Sequence, residues 1–223
     1  IRRTYLDPST MLITGDTQSG QAMGLYYGVF DSSERKQALD QLVRLIEQAD
    51  KSMNVGFLGG RVIFHVLAEF GQSDLAHHMI TKKDYPSYGH LLERGATTLW
   101  EMFLPEPQLS GSENHHFWGD INHWFLRHLV GIHVNPGRND ANRILVKPQF
   151  VGALDEVKGS YLAPAGEITV AWTRASDGVI ELTVDAADGI DWSLELAAGW
   201  YFEDDQRSYR AADSRTHRIV NRR

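Results

Sequence analysis

Cysteine is absent from the 223 residues, which excludes disulfides and thiolate zinc sites. That absence suits a cytoplasmic protein, the compartment this composition favours. Basic residues are in the minority, 22 Lys and Arg against 29 Asp and Glu, for a formal charge of −7. A nucleic-acid or anionic-membrane partner needs a basic face, so neither is expected. No apolar run approaches the length of a membrane span, and none resembles a secretory h-region. The opening "IRRTYLD" has no initiator methionine, and the chain reads as a piece whose front lies elsewhere.

Several chemical signatures are missing too. There is no G-x-x-x-x-G-K-[ST] phosphate loop and no G-x-S-x-G nucleophile elbow; "GFLGG" at Gly56 to Gly60 is a turn without the lysine. The ten histidines include no H-E-x-x-H. His77–His78 and His115–His116 are adjacent pairs, which point to different faces of a helix. His123, His128 and His133 recur at five-residue steps that drift around a helix. Neither a metal nor another cofactor is expected.

What is present is an ordinary globular composition, 42% hydrophobic and 23% charged. The first part has helical spacing. Ala22, Leu25, Tyr26 and Val29 fall on one face; Leu39, Leu42, Val43 and Ile46 repeat the pattern, with Asp31 and Glu34 spaced as a capping box. Ile63, Val66, Leu67 and Phe70 follow, with Gly71 as C-cap, then Ser73 as cap of a short helix through Leu75, Ala76, Met79 and Ile80. A last helix is predicted over Trp118 to Leu129. Near "NPGRNDANR" the period changes to two: Ile168, Val170 and Trp172, then Ile180, Leu182 and Val184, then Trp192, Leu194 and Leu196 face one way. Gly178 and Gly189 punctuate these runs at the spacing of an antiparallel β-sandwich. Two domains are therefore predicted, helical over 1–137 with about six helices and β over 138–223. Six helices make half a ring of antiparallel pairs, whose apolar flank either the missing front or self-association would cover.

Among the acids, Glu101 in "GATTLWEMF" lies between Leu99, Trp100, Met102 and Phe103. Two readings stand at this point. One pairs it with an arginine such as Arg94. The other places it in a partly apolar cleft, its basicity tuned by burial, with a tryptophan as a flat platform for a sugar ring. Downstream, "SENHHFWG" supplies Asn114 and His115 for hydrogen bonds to ligand hydroxyls.

"GDTQSGQAMGLYYGVF", "NVGFLGG", "DYPSYG" with "RGATTLWE", "ENHHFWGDINHWFLRHLVGI" and "VGALDEVKGSYLAPAGEITVAW" occur in this order. Together they resemble the C-terminal part of bacterial α-L-rhamnosidases, glycoside hydrolase family 78, over nearly the whole chain. The resemblance implies a partial (α/α)6 barrel followed by a β-sandwich, and hydrolysis of terminal α-L-rhamnosyl residues with inversion. It makes Glu101 the general base and places His115 in the sugar pocket, with Trp100, Tyr88 and Phe57 as further pocket candidates that core packing explains equally well. Where the family often carries a tryptophan two residues after the glutamate, this chain has Met102 and Phe103. The resemblance also implies that the general acid lies before residue 1, so the chain alone is expected to be inactive. A carbohydrate-binding or structural remnant without chemistry, or a glycosidase for another sugar, are the alternatives that sequence leaves open.

Overall fold

The computed structural model describes residues 2–103, 111–134, 140–203, 208–211 and 215–221. The predicted domain boundary at 137/138 lies outside the described residues. The chain divides into two compact units, Ile1–Ile121 and Asn122–Arg223.

The first unit holds helices α1 (Arg2–Tyr5), α2 (Gln18–Tyr26), α3 (Arg35–Gln48), α4 (Phe57–Glu69), α5 (Ser73–Thr81) and α6 (Tyr88–Glu93), and the start of α7 (Asp120–Trp124). A two-residue hairpin, β1 (Leu6–Asp7) with β2 (Leu12–Ile13), precedes α2. Helix α2 packs against α3 and α4, α4 against α5, and α5 against α6. Their shared interior is built from Leu42, Ile46, Ile63, Leu67 and Met79, all fully buried.

Local chemistry explains where these helices start and stop. Thr17 caps α2 by accepting from Gly20 N–H at 3.1 Å, and Ser87 caps α6 by accepting from His90 N–H at 2.9 Å. Gly71 takes a left-handed φ of 75° after α4, as the predicted C-cap requires. The expected capping box is half formed: Glu34 Oε2 accepts from Asp31 N–H at 2.8 Å, but Glu34, not Asp31, occupies the N-cap. Ser73 is not the cap of α5 but its first residue, because Gln72 takes the cap position. Tyr26 departs from the predicted apolar face and is 47% exposed. The buried face of α2 is supplied by Gln18, Gln21, Ala22, Gly24 and Leu25. The periodicity missed it because the two glutamines are polar by type.

The second unit takes in the end of α7 and one turn of π-helix, Phe125–Val130, in place of the uniform α-helix predicted to Leu129. Gly131 ends that turn with φ 91°. Among the described residues nine strands follow: β3 (Ile132–His133), β4 (Arg143–Val146), β5 (Glu156–Ala163), β6 (Gly166–Arg174), β7 (Ile180–Ala186), β8 (Asp191–Glu195), β9 (Trp200–Phe202), β10 (Ser208–Ala211) and β11 (Arg215–Asn221). They form a four-stranded sheet, β10-β8-β4-β3, and a five-stranded sheet, β5-β6-β7-β11-β9. Both sheets feed one apolar core, Ile144, Val146, Trp192 and Leu194 from the first and Ile168, Val170, Trp172, Leu182 and Val184 from the second. The inward alternation read from β6, β7 and β8 is the one observed. The expectation of a wholly antiparallel sandwich is corrected, because β4 and β8 pair in parallel. Strand β4 reaches that position through the connection formed by β5, β6 and β7, a crossover that period-two patterning does not encode.

Candidate functional site

Glu101 belongs to no helix or strand. Its segment is fixed instead by a short run of bonds to residues 112–115. Glu101 N–H donates to Ser112 O at 2.8 Å, His115 N–H donates to Leu99 O at 2.7 Å, and the Thr98 hydroxyl donates to Glu113 O. Ser112 N–H in turn donates to Glu101 Oε2 at 3.0 Å. Among the described residues Oε1 has no hydrogen-bond partner, and no arginine forms an ion pair with the carboxylate. The pairing with Arg94 weighed above is thus not the one adopted. A Cβ on Gly111 would stand 3.2 Å from Oε2, so the carboxylate is also crowded from the side of that backbone.

The half-buried glutamate lines a cavity of about 570 Å³. The other walls are residues 49 and 52–55, then Tyr85 with Pro86, then Met102, Phe103 and Trp118. Most of that surface is apolar or aromatic, with Ser52, Asn54 and Glu101 as polar groups. A mixed lining of this kind suits a small organic ligand with one hydrophobic and one hydroxylated side.

The wall at 52–54 is held from a distance. The buried Gln18 side chain on α2 donates to Ser52 O at 3.1 Å and accepts from Asn54 N–H at 3.0 Å. Lys82 pins the residues before it, donating to Asp50 O at 2.6 Å, to the Asp50 carboxylate at 2.7 Å and to Ser52 Oγ at 2.9 Å. The bond from Lys82, and then its charge, hold the Asp50 carboxyl below its usual range. Met53 N–H donates to Pro86 O at 3.4 Å, which joins this wall to the Tyr85–Pro86 wall.

Five further residues were singled out by sequence, Asn114, His115, Trp100, Tyr88 and Phe57, and none of them is among the residues lining this cavity. Trp100 is buried. Tyr88 opens α6, donates its hydroxyl to Trp118 O at 3.0 Å and packs edge-on to Phe103. Burial, followed by the charge of Asp120, pushes the Tyr88 phenol well above its ordinary value, so it remains a donor. Phe57, 42% exposed, stacks on Phe117 at 4.6 Å, and His115 meets the same ring at 3.9 Å. Phe57, Phe117 and His115 therefore form one aromatic group, and Tyr88, Phe103 and Trp118 another. Sequence reading did not single out Trp118, Asn54 or Tyr85 as wall residues. The tryptophan two places beyond His116 was the available signal for the first.

The chain thus joins a unit of packed helices, in which a carboxylate lines a cavity, to a two-sheet unit that follows it in sequence. Residues 1–129 match the family model for the bacterial alpha-L-rhamnosidase 6 hairpin glycosidase domain, and residues 132–196 match that for the bacterial alpha-L-rhamnosidase C-terminal domain. The chain belongs to this α-L-rhamnosidase family. It is 34% identical over 185 residues to an α-L-rhamnosidase of Alteromonas sp. (strain LOR), covering 79% of this chain and 20% of that protein. It is 28% identical over 176 residues to an α-L-rhamnosidase of Streptomyces avermitilis, covering 75% of this chain and 17% of that protein. The chain thus spans about a fifth of the length of these curated relatives. The fold is shared with the crystal structure of Streptomyces avermitilis α-L-rhamnosidase complexed with L-rhamnose, at a TM-score of 0.85 and 24% identity, over 99% of this chain and 23% of that one. Among the described residues no helix is long and apolar enough to cross a membrane.

Proposed function

We propose that this chain is the C-terminal part of an inverting α-L-rhamnosidase, with Glu101 as the general base that activates the hydrolytic water. The observation that carries the reading is the carboxylate itself, held through Oε2 by Ser112 N–H while it lines a cavity of about 570 Å³. A base needs one oxygen oriented and the other within reach of water, and this arrangement supplies both. The apolar flanks of Glu101 then have a reason: Met102, Phe103 and Trp118 form the hydrophobic side of a sugar pocket. L-Rhamnose in the Streptomyces avermitilis structure supports a rhamnose-containing glycoside as the substrate.

Inversion requires a second carboxyl group roughly 6.5–9.5 Å from the first. Glu101 is the one carboxylate among the described residues that line the cavity. We therefore expect the general acid in the part of the enzyme that this chain does not span, and no useful turnover by the 223 residues alone. The same missing part would supply the rest of the (α/α)6 barrel, of which residues 1–137 are the C-terminal portion, ahead of the β-sandwich of 138–223. Without it, the unpartnered helical flank is expected to self-associate. His115, Trp100, Tyr88 and Phe57 remain proposed members of the sugar pocket, reached when that second half is present.

The test assays the full-length gene product and the 223-residue chain on an aryl α-L-rhamnoside, following the product anomer by NMR. The reading expects a β-L-rhamnose first product from the full-length protein, a loss of roughly 100- to 10,000-fold in Glu101→Gln, and no turnover by the isolated chain. Undiminished turnover in Glu101→Gln sinks the assignment of the base. An α-configured first product sinks inversion, and robust hydrolysis by the isolated chain sinks the missing acid.

A further inference from the structure

We infer that Trp118 is a positioning residue for the Glu101 carboxylate, acting through the backbone of residue 101. The inference rests on the reading of Glu101 as the base. Because Glu101 lies outside regular structure, few bonds define its main chain. Its N–H is held by Ser112 O, and its carbonyl accepts from the indole Nε1–H of Trp118 at 2.8 Å. The carbonyl bond is the one that a side chain supplies. Of the apolar side chains that could fill this part of the wall, only tryptophan carries an N–H on a large flat ring.

The indole is itself held on several sides, which a residue must be if it is to hold another. It is 6% exposed. Its ring meets Phe103 at 4.7 Å and 61°, and Phe103 in turn meets Tyr88 at 5.4 Å and 82°. It also lies against Gly60 of α4, where a Cβ would come within 2.5 Å of the indole Cζ3. The Trp118 carbonyl accepts from the Tyr88 hydroxyl at 3.0 Å. Two residues on, Asp120 Oδ2 is bonded to Nε2 of the buried His65 at 2.8 Å. Rigidity therefore passes from the helix core to the indole, and from the indole N–H to the peptide that carries the base. The same ring is part of the cavity wall, so one side chain sets both the surface the ligand meets and the origin of the carboxylate.

A small shift in that origin matters because a displacement of about 1 Å in a reacting group costs on the order of 100-fold in rate. Loss of the N–H while the apolar wall is kept should lower kcat and leave KM nearly alone. The experiment measures an aryl α-L-rhamnoside with the full-length gene product and with Trp118→Phe, Glu101→Gln and the double variant. The expected result is a kcat lower by roughly 10- to 100-fold in Trp118→Phe, KM within about threefold, and no further loss when the same change is made in Glu101→Gln. If Trp118→Phe fails to fold, 3-benzothienylalanine at position 118 replaces the N–H by sulfur within the same bicyclic outline and must give the same split. Unchanged kcat, or losses that multiply in the double variant, overturn the positioning role and leave the base assignment standing. Undiminished turnover in Glu101→Gln overturns both.

Discussion

Ser112 and Glu101 hold each other twice: Ser112 O accepts the Glu101 N–H at 2.8 Å, and Ser112 N–H donates to Glu101 Oε2 at 3.0 Å. Backbone and side chain of one residue are thus tied to a single partner, which limits both the origin and the direction of the carboxylate. Gly111 adjoins this pair, and a Cβ there would sit 3.2 Å from Oε2. Gly111→Ala is expected to push the carboxylate off its bond to Ser112 N–H. In the full-length gene product kcat on an aryl α-L-rhamnoside should fall roughly tenfold or more, with the melting temperature nearly unchanged because Gly111 is exposed.

Gln18 reaches the cavity wall through a buried bond to Ser52 O and a part-buried one from Asn54 N–H. Gln18→Met keeps the volume and removes both, which leaves two backbone groups to find water or remain unpaired. The expected cost is about 2 kcal/mol in urea denaturation of the chain. In the full-length protein it should appear as a raised KM, since the wall moves while the base does not. A variant that is as stable as the parent would show that the 52–54 segment is held by something else.

Gly60 faces the Trp118 ring at a distance no Cβ can share. Gly60→Ala gains helix propensity but overpacks the site. Destabilisation of about 1–3 kcal/mol is expected, the usual range for forcing an extra methyl into a filled interior. Tryptophan emission of the folded chain should shift at the same time, because the displaced ring is 6% exposed in the parent.

His133 supplies a pH dependence confined to the second unit. Burial, and then the positive charge of Arg127, lower its pKa from 6.5 to about 4. The folded unit therefore keeps His133 neutral while the unfolded chain protonates below pH 6.5. The stability tied to the neutral ring is fully present above that pH and is lost as pH falls from 6.5 towards 4. The loss amounts to roughly 3 kcal/mol at most. Melts of the chain at pH 7.5 and pH 4.5 should differ more for the parent than for His133→Gln. Equal slopes for the two would remove His133 as the cause.

The parts that were legible in the sequence are those set by neighbours a few residues apart. Leu39, Leu42 and Ile46, or Ile168, Val170 and Trp172, declare a buried face by their spacing, and they are buried. Glu101 declared itself by being the carboxylate among apolar neighbours, and it does line a cavity. What the spacing could not reveal is set by partners far along the chain. Gln18 and Gln21 look like surface residues. They are buried because Gln21 bonds Met11 O at 2.8 Å, Ala38 O at 2.9 Å and Ile13 N–H at 3.0 Å, while Gln18 serves the 52–54 wall. Tyr26 has the type and spacing of a core residue, yet the buried side of α2 turns towards those glutamines and leaves it exposed. Period-two patterning does not mark β5, because Val157 and Tyr161 are only partly buried and Gly159, on the same face between them, has no side chain to declare it.

The parallel pairing of β4 with β8 carries a kinetic consequence. Its register partners Arg143 and Asp191 are 48 residues apart, whereas β5, β6 and β7 pair with immediate neighbours through short turns. Chain closure over the longer distance costs more entropy before any contact rewards it. The β5–β6–β7 meander is therefore expected to assemble early, and the smaller sheet to zip last onto a surface already made. Pulse-labelling during refolding should protect the amides of Val170 and Leu182 before those of Ile144 and Val146.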